Sequence, residues 1–112
     1  MSRTSYWLGL VCLYGLLLSV PAAAQDLSFT ITIKDHEFHP PELTVPAGRK
    51  LKLLVKNLDP TTEEFESHDL RIEKVIPGKK EAILIVRPLR PGTYKFVGEF
   101  HEKTAQGRIV AK

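Results

Sequence analysis

Short stretches of alternating apolar and polar residues, separated by proline and glycine, are the feature that most restricts how this chain can fold. In residues 28–34 the apolar side chains occupy every second position, and most of the segment is β-branched. This pattern is typical of a half-buried β-strand. Similar short runs follow at regular spacing, and no segment has a convincing helical period. The sequence therefore predicts an all-β fold, a Greek-key β-sandwich of about seven strands.

The predicted strands and their connections follow from this alternation and from the turn residues. Residues 58–69, which are rich in Asp and Glu, have no clear alternation and are predicted to be a long irregular segment. The two prolines at positions 40 and 41 rule out a central strand at that point. The predicted strands are residues 28–34, 42–45, 50–57, 70–72, 81–87, 92–98 and 107–112.

Residues 1–24 have the pattern of a secretory signal peptide. Arg3 gives a positive start, residues 6–20 form an apolar run, and three alanines at 22–24 suit a cleavage site. The run is shorter than the ~20 residues that span a bilayer, which argues against an uncleaved anchor. Acylation at Cys12 is an alternative, but this cysteine lies inside the apolar run. We expect cleavage after Ala24, export to the periplasm, and one domain over residues 25–112.

The exported domain is expected to contain no thiol and no thioether. The chain has one Cys and one Met, at positions 12 and 1, and both precede the expected cleavage site. The whole chain has a net charge of +3, from 16 Lys and Arg against 13 Asp and Glu. This balance does not favour binding to nucleic acid.

The last part of the chain resembles a known family. Residues 91–101 read Pro-Gly-Thr-Tyr-Lys-Phe-Val-Gly-Glu-Phe-His, and a final strand begins at Gly107. This is similar to the last hairpin of the cupredoxins, small copper-binding β-sandwiches in which the pattern PGxYxFxCxxH presents the metal ligands. His101 falls on the histidine of that pattern, and Gly98 falls on its cysteine. Residues 37–48, 54–57 and 67–72 extend the resemblance over the rest of the domain, with His68 in the segment that carries the first histidine ligand.

A narrower resemblance concerns residues 63–67, 73–75 and 98–101. These stretches look like the small exported cupredoxin-domain proteins associated with bacterial iron permeases, and like the N-terminal domain of EfeO-type iron-uptake proteins. The resemblance implies a role in handling copper or iron beside an iron permease or another exported iron-uptake component.

The candidate metal site has only nitrogen and oxygen donors. A blue copper centre needs a Cys thiolate together with two His, so the domain is predicted not to be a blue copper protein. We expect a type-2-like copper site or an iron site with His101 as principal ligand and His68 as second. Glu66 or Glu99 is expected to supply oxygen, and His36 to lie nearby. The resemblance implies that these residues meet at one acidic end of the sandwich, formed by Asp59, Glu63, Glu64, Glu66, Asp69, Glu99 and Glu102.

Several residues at or near this end also have an interpretation without a metal. Glu63 and Glu64 are read as solvated charges, and His39 as an exposed residue off the site. The alternative for His36 is a solvated polar residue that takes no part in the site. Three functions remain open at the level of sequence: a metal-binding module that serves metal uptake, a copper-dependent ferroxidase, and a metal-free sandwich that docks to an exported protein.

Overall fold

The computed structural model describes residues 27–112, together with the single residue Gly15. The described part forms nine β-strands and one short 3-10 turn, Glu99–His101, which follows the eighth strand. The strands are β1 (Leu27–Lys34), β2 (Glu37–His39), β3 (Glu42–Val45), β4 (Leu51–Asn57), β5 (Glu63–Ser67), β6 (Ile72–Ile76), β7 (Glu81–Val86), β8 (Gly92–Gly98) and β9 (Gln106–Ala111).

The strands form two sheets, and the predicted all-β fold is confirmed. One sheet has the order β2-β1-β4-β7 and the other β3-β9-β8-β5-β6. The pairs β1–β4 and β3–β9 are parallel, so chain connections cross between the sheets, and the remaining pairs are antiparallel. The apolar residues of β1 and β4 that alternate in the sequence face the interior. Two-residue periodicity thus gives each of these strands one buried face.

Three aromatic rings fill the end of the core that lies below the candidate site. Phe65 and Phe96 stack with ring centroids 4.9 Å apart, and Phe38 meets Phe96 edge-on at the same distance. Phe65 belongs to β5 and Phe96 to β8, which are neighbours in the five-stranded sheet. Phe38 comes from β2 in the opposite sheet. The cluster therefore joins the two sheets and fixes the start of β5 against the end of β8.

The structure corrects three parts of the predicted strand pattern. Residues 58–69 are not irregular throughout, because β5 lies within them and pairs with both β8 and β6. The predicted strand at residues 70–72 was placed too early, since Leu70 lies in a turn and β6 begins at Ile72. The short β2 was also not predicted; it is an edge strand, so the prolines that follow it do not interrupt a ladder.

The predicted signal peptide and its cleavage after Ala24 lie outside the described residues, apart from Gly15. Within the part of the chain that the structure describes, no helix has the length and apolar character needed to cross a bilayer.

Candidate functional site

The 3-10 turn after β8 holds His101 at one end of the sandwich. Gly98 ends β8, and its amide donates to the carbonyl oxygen of Ala105 at 2.9 Å. The amides of Thr104 and Ala105 donate to the carbonyl oxygen of His101 at 3.1 and 2.8 Å. These bonds close the loop between β8 and β9, so the position of His101 is fixed by backbone contacts on both sides.

The side chain of His101 is hydrogen-bonded to a buried glutamate. Its Nδ1 lies 2.5 Å from Oε2 of Glu63, whose exposed fraction is only 1%. The other oxygen of Glu63, Oε1, accepts from the amides of Glu64 at 3.0 Å and Phe100 at 2.9 Å. A carboxylate oxygen can only accept, so the ring nitrogen facing Glu63 carries the proton and Nε2 is the nitrogen left for other partners. The interpretation of Glu63 as a solvated charge was wrong.

Glu63 also fills the space beside Gly98. A Cβ atom added to Gly98 would lie 2.6 Å from Cβ of Ala105, 2.7 Å from Cδ of Glu63 and 2.9 Å from its Oε2. These separations are below van der Waals contact, so any side chain at this position would require Glu63 to move. The residues present therefore do not fit a thiolate-ligated copper ion: the sulfur ligand is absent, and a carboxylate occupies its position.

His36, which only the resemblance placed near the site, lies directly against His101. The two rings stack with centroids 3.6 Å apart and planes inclined by 14°. Nε2 of His36 lies 3.3 Å from Oγ1 of Thr61. Because a ring nitrogen directs its lone pair in the plane of the ring, two stacked rings do not direct their lone pairs at one ion. As arranged here, His36 and His101 cannot both bind the same metal.

Asp59 fixes the position of His36 through the backbone. Asp35 and His36 both have positive φ values and form the turn between β1 and β2. Their amides donate to Oδ1 and Oδ2 of Asp59 at 2.8 and 2.9 Å, and the amide of Asp59 donates to Asn57. Burial alone would raise the pKa of Asp59, but these amide hydrogen bonds, with smaller contributions from the charges of His36 and Lys79, lower it below its usual value. The carboxylate thus holds the turn in place.

A group of carboxylates lies on the outer face of the five-stranded sheet. One oxygen each from Glu64, Glu73 and Glu99 lies within 4.8 Å of the others. The strand register explains this group. Glu64 and Glu73 lie on β5 and β6, which pair with each other. Glu99 follows Gly98 of β8, and because Gly98 pairs with Phe65, Glu99 lies beside Glu64. We call Glu64, Glu73 and Glu99 the carboxylate cluster.

Hydrogen bonding between carboxyl groups, together with burial, raises the pKa values of Glu64 in the carboxylate cluster and of Glu66 beside it. A hydrogen bond with Glu73, burial, and a further hydrogen bond with Glu99 raise the pKa of Glu64 to about 7. The pKa of Glu66 is also raised, first by a hydrogen bond with Glu99 and then by burial. Only 8% of Glu64 is exposed, so the interpretation of this residue as solvated was wrong. Oxygen ligands at this spacing, with a proton held near neutral pH, suit a divalent cation that would replace the proton.

The raised pKa of Glu64 predicts that stability falls with increasing pH. Between the usual glutamate value and about 7, the folded chain binds more protons than the unfolded chain, so the free energy of unfolding decreases as pH rises through this window. We expect the melting temperature of the metal-free protein to be lower at pH 8 than at pH 5.5. Glu64→Gln should reduce this difference, whereas Glu37→Gln, on the other sheet, should not. Equal pH dependence in the wild type and Glu64→Gln would contradict the prediction.

His68 is the predicted ligand that the structure does not bring to the site. Ser67 at the end of β5 donates through Oγ to the carbonyl oxygen of Lys95 at 2.6 Å. Glu63 and His101 meet at the other end of β5, so His68, which follows Ser67, lies at the opposite end of the strand from them. Asp69, which accepts from the amide of Lys95, lies at that same far end. The expected acidic end of the sandwich therefore does not include His68 and Asp69.

The other predicted residues are distributed as follows. Glu99 belongs to the carboxylate cluster, and Glu66 is next to it on the outer face. His36, Glu99 and His101 line one shallow surface depression. His39 is exposed at the end of β2, with Nε2 3.9 Å from Glu37, as expected for a residue off the site.

The sequence did not predict Glu63 as a buried partner of His101, nor Glu64 and Glu73 as members of a carboxylate cluster, and it contained a signal for Glu63 alone. Glu63, Phe65 and Ser67 alternate with Glu64 and Glu66, which is the pattern of a strand with one buried face. The aromatic residue at position 65 indicates which face is buried, and this would have placed Glu63 inside. Nothing in the sequence alone indicated that Glu64 and Glu73 would meet, because their contact depends on the register of β5 and β6.

Comparison with known proteins agrees with this fold. A family model described as a cupredoxin-like domain matches residues 8–111. An uncharacterized protein of Rickettsia prowazekii (strain Madrid E) is 44% identical over 110 residues, covering 90% of this chain and 88% of the relative.

Several solved structures are similar in fold. Auracyanin A, a "blue" copper protein from Chloroflexus aurantiacus, is 16% identical with a TM-score of 0.68, covering 79% of this chain and all of that one. The metal-binding domain of the Cu(I)-exporting P-type ATPase CopA of Streptococcus pneumoniae D39, with Cu(I), has a TM-score of 0.66 at 16% identity, covering 78% and 86%. A purple cupredoxin from Nitrosopumilus maritimus has a TM-score of 0.57 at 16% identity, covering 74% and 98%. At this level of identity the similarity shows the fold alone.

Proposed function

The chain belongs to the family of cupredoxin-like domains, and from this premise we propose that it is an exported protein that binds copper or iron through carboxylate and histidine side chains. We further propose that it serves a bacterial iron-uptake system, beside an iron permease or another exported component. The iron-uptake role rests on the resemblance of residues 63–67, 73–75 and 98–101 to proteins of that group. Structures of similar fold that bind copper support the metal class.

The observation that carries the metal-binding proposal is the carboxylate cluster. Three oxygens from Glu64, Glu73 and Glu99 lie within 4.8 Å of one another, with Glu66 beside them. Bringing carboxylates this close costs free energy through like-charge repulsion, and a bound cation would relieve it. Glu99 also lines the depression that contains His101, so an imidazole is available beside the oxygen ligands. We propose Glu64, Glu73 and Glu99 as ligands, with Glu66 and His101 as the next candidates.

The chemistry of these donors favours oxidised copper or iron over Cu(I). Carboxylate and imidazole suit Cu(II) and iron, whereas thiolate and thioether ligands select Cu(I). Residues 25–112 contain neither Cys nor Met. Bound Cu(II) would therefore be of the type-2 kind, without the thiolate of a blue copper centre. His68 is not included in the proposed site, because it lies at the far end of β5 from His101.

Metal analysis of the purified protein tests this function. We expect copper or iron to be retained after growth in defined medium, and added Cu(II) to give a type-2 electron paramagnetic resonance signal. Glu64→Gln and Glu99→Gln should need a higher Cu(II) concentration to give that signal, and His39→Ala should behave as the wild type does. Protein that is free of metal and gives only the spectrum of aqueous Cu(II) would contradict the proposal.

A second candidate is a metal-free sandwich that docks to another exported protein. The hydrogen bonds of Glu63 favour it, because they hold this end of the sandwich together without a metal: Glu63 accepts from Nδ1 of His101 and from the amides of Glu64 and Phe100. In this case the carboxylate cluster would be a charged surface only. The same metal analysis separates the two candidates.

The proposed export predicts the mass of the mature protein. Cleavage after Ala24 would give a chain that begins at Gln25 and has lost the only cysteine, Cys12. We expect the intact mass of the exported protein to correspond to residues 25–112. A species that retains Cys12, with or without a lipid, would contradict this part of the proposal.

A further inference from the structure

The strand β7 is an unprotected sheet edge. It spans Glu81–Val86 and, among the described residues, pairs with β4 alone. Natural proteins protect edge strands with charged side chains, prolines or short length. Between Glu81 and Arg87, β7 has five uncharged residues and no proline.

The other three edges of the described sheets are protected in these ways. The strand β2 has three residues and is followed by Pro40 and Pro41. The strand β3 has four residues and is bounded by Pro41 and Pro46. The strand β6 carries Glu73 and Lys74 in its centre. The absence of such protection at β7 indicates that this edge pairs with another strand.

The outer face of β7 is apolar and exposed. Ile83 is 65% exposed and Ile85 is 50% exposed, while Leu84 and Val86 between and beyond them are buried in the core. Leu54 of β4 lies opposite Ile83 and extends the apolar strip by one strand. Apolar side chains beside unpaired backbone groups are what a strand added to this edge would bury.

The hydrogen-bonding phase shows which backbone groups face outward. The amide of Asn57 donates to the carbonyl oxygen of Lys80 at 2.8 Å, which makes these two residues a bonded pair between β4 and the start of β7. In an antiparallel pair, bonded positions alternate along the strand. The backbone groups of Ala82 and Leu84 therefore bond to β4, and those of Glu81, Ile83 and Ile85 are directed to the open edge.

We propose that β7 pairs antiparallel with β7 of a second copy of this chain, about a two-fold axis that passes beside Leu84. In this register Ile83 lies opposite Ile85 of the second copy, and both have outward-facing backbone groups. Glu81 lies opposite Arg87, so each end of the pairing joins opposite charges. The result is one continuous eight-stranded sheet in a closed dimer, because the edges left at its ends are the protected β2 strands.

Charge complementarity selects this register over its neighbours. An axis beside Ile83 would place Glu81 against Ile85, and an axis beside Ile85 would place Ile83 against Arg87. The guanidinium of Arg87 is already held at the end of β7, since it donates to the carbonyl oxygens of Leu70 at 2.8 Å and Asp69 at 3.2 Å. Its charge is thus held at the end of β7 that would meet the Glu81 end of the second copy.

Light scattering of the purified protein over micromolar concentrations tests the dimer. We expect the wild type to dimerise, and Ile83→Lys to weaken the dimer by about tenfold or more, because it places a charge at the centre of the paired edge. Thr30→Lys adds the same charge to the same outer face, two strands away, and should leave the dimer unchanged. A monomeric wild type, or an equal effect of the two lysines, would overturn the proposal.

Cysteine cross-linking tests the register. In protein that also carries Cys12→Ser, a mixture of Ile83→Cys and Ile85→Cys chains should form a disulfide between chains, because bonded antiparallel pairs have Cα atoms about 5.5 Å apart, within disulfide range. Either variant alone should cross-link less, since residue 83 does not face residue 83. Equal yields from the mixture and from Ile83→Cys alone would overturn the register.

Discussion

Replacing Glu63 with alanine is expected to lower the free energy of unfolding by several kcal/mol, because a buried donor left without an acceptor costs about 1–3 kcal/mol. The carboxylate accepts from Nδ1 of His101 and from the amides of Glu64 and Phe100. Without it, donors at the end of the core lose their acceptor, and a cavity opens beside Gly98. Urea denaturation measures the loss as a lower midpoint.

Two matched variants separate this effect from a general loss of charge. Glu63→Gln keeps the size of the side chain, and its amide oxygen can still accept from Phe100, so most of the stability should return. Glu66→Ala removes a carboxylate from the outer face of the same strand and should change stability little. If Glu63→Ala unfolds at the same urea concentration as Glu66→Ala, the hydrogen bonds of Glu63 do not hold this end of the fold together.

The fold could be predicted because its signals are local. The alternation in β1 and β4 identifies strands with one buried face, and the Pro-Gly pair at residues 91–92 marks the turn that begins β8. The strand β5 was missed because three of its five residues are glutamates, which β-strands disfavour. Here tertiary context prevails over propensity: Phe65 is buried between two sheets, and Glu63 is stabilised by three donors.

The candidate site could be predicted only in part, because it depends on register between strands distant in the sequence. Residue types alone indicated a site without a thiolate, and the placement of His36 beside His101 agrees with the resemblance that suggested it. The sequence did not show that Glu63 would occupy the space beside Gly98. Nor did it show that His68 would lie at the other end of β5, since this follows from the pairing of Phe65 with Gly98.

Replacing Glu99 with glutamine is expected to weaken Cu(II) binding by about tenfold or more, a loss that even outer-shell changes produce at metal sites. Glu99 is the residue shared by the two perturbed glutamates, because it contributes to the raised pKa of Glu64 and is the first cause of the raised pKa of Glu66. It also lies in the same 3-10 turn as His101. Calorimetry at pH 7.5 measures the affinity, and the absorption spectrum of the complex should lack the strong colour of a thiolate-bound copper.

Two measurements show where the metal binds: the pH dependence of the Cu(II) affinity, and the affinity of the control variant His68→Ala. Below about pH 7 Glu64 holds a proton that the metal must displace, so wild-type affinity should fall as pH decreases through this value. His68→Ala removes an imidazole at the far end of β5 and should bind Cu(II) as the wild type does. If His68→Ala weakens binding and Glu99→Gln does not, the metal site lies at the far end of β5 and the carboxylate cluster is not its ligand set. If neither variant differs from the wild type, the metal-free docking function becomes the better account, because the three hydrogen bonds that Glu63 accepts already hold this end of the sandwich together without an ion.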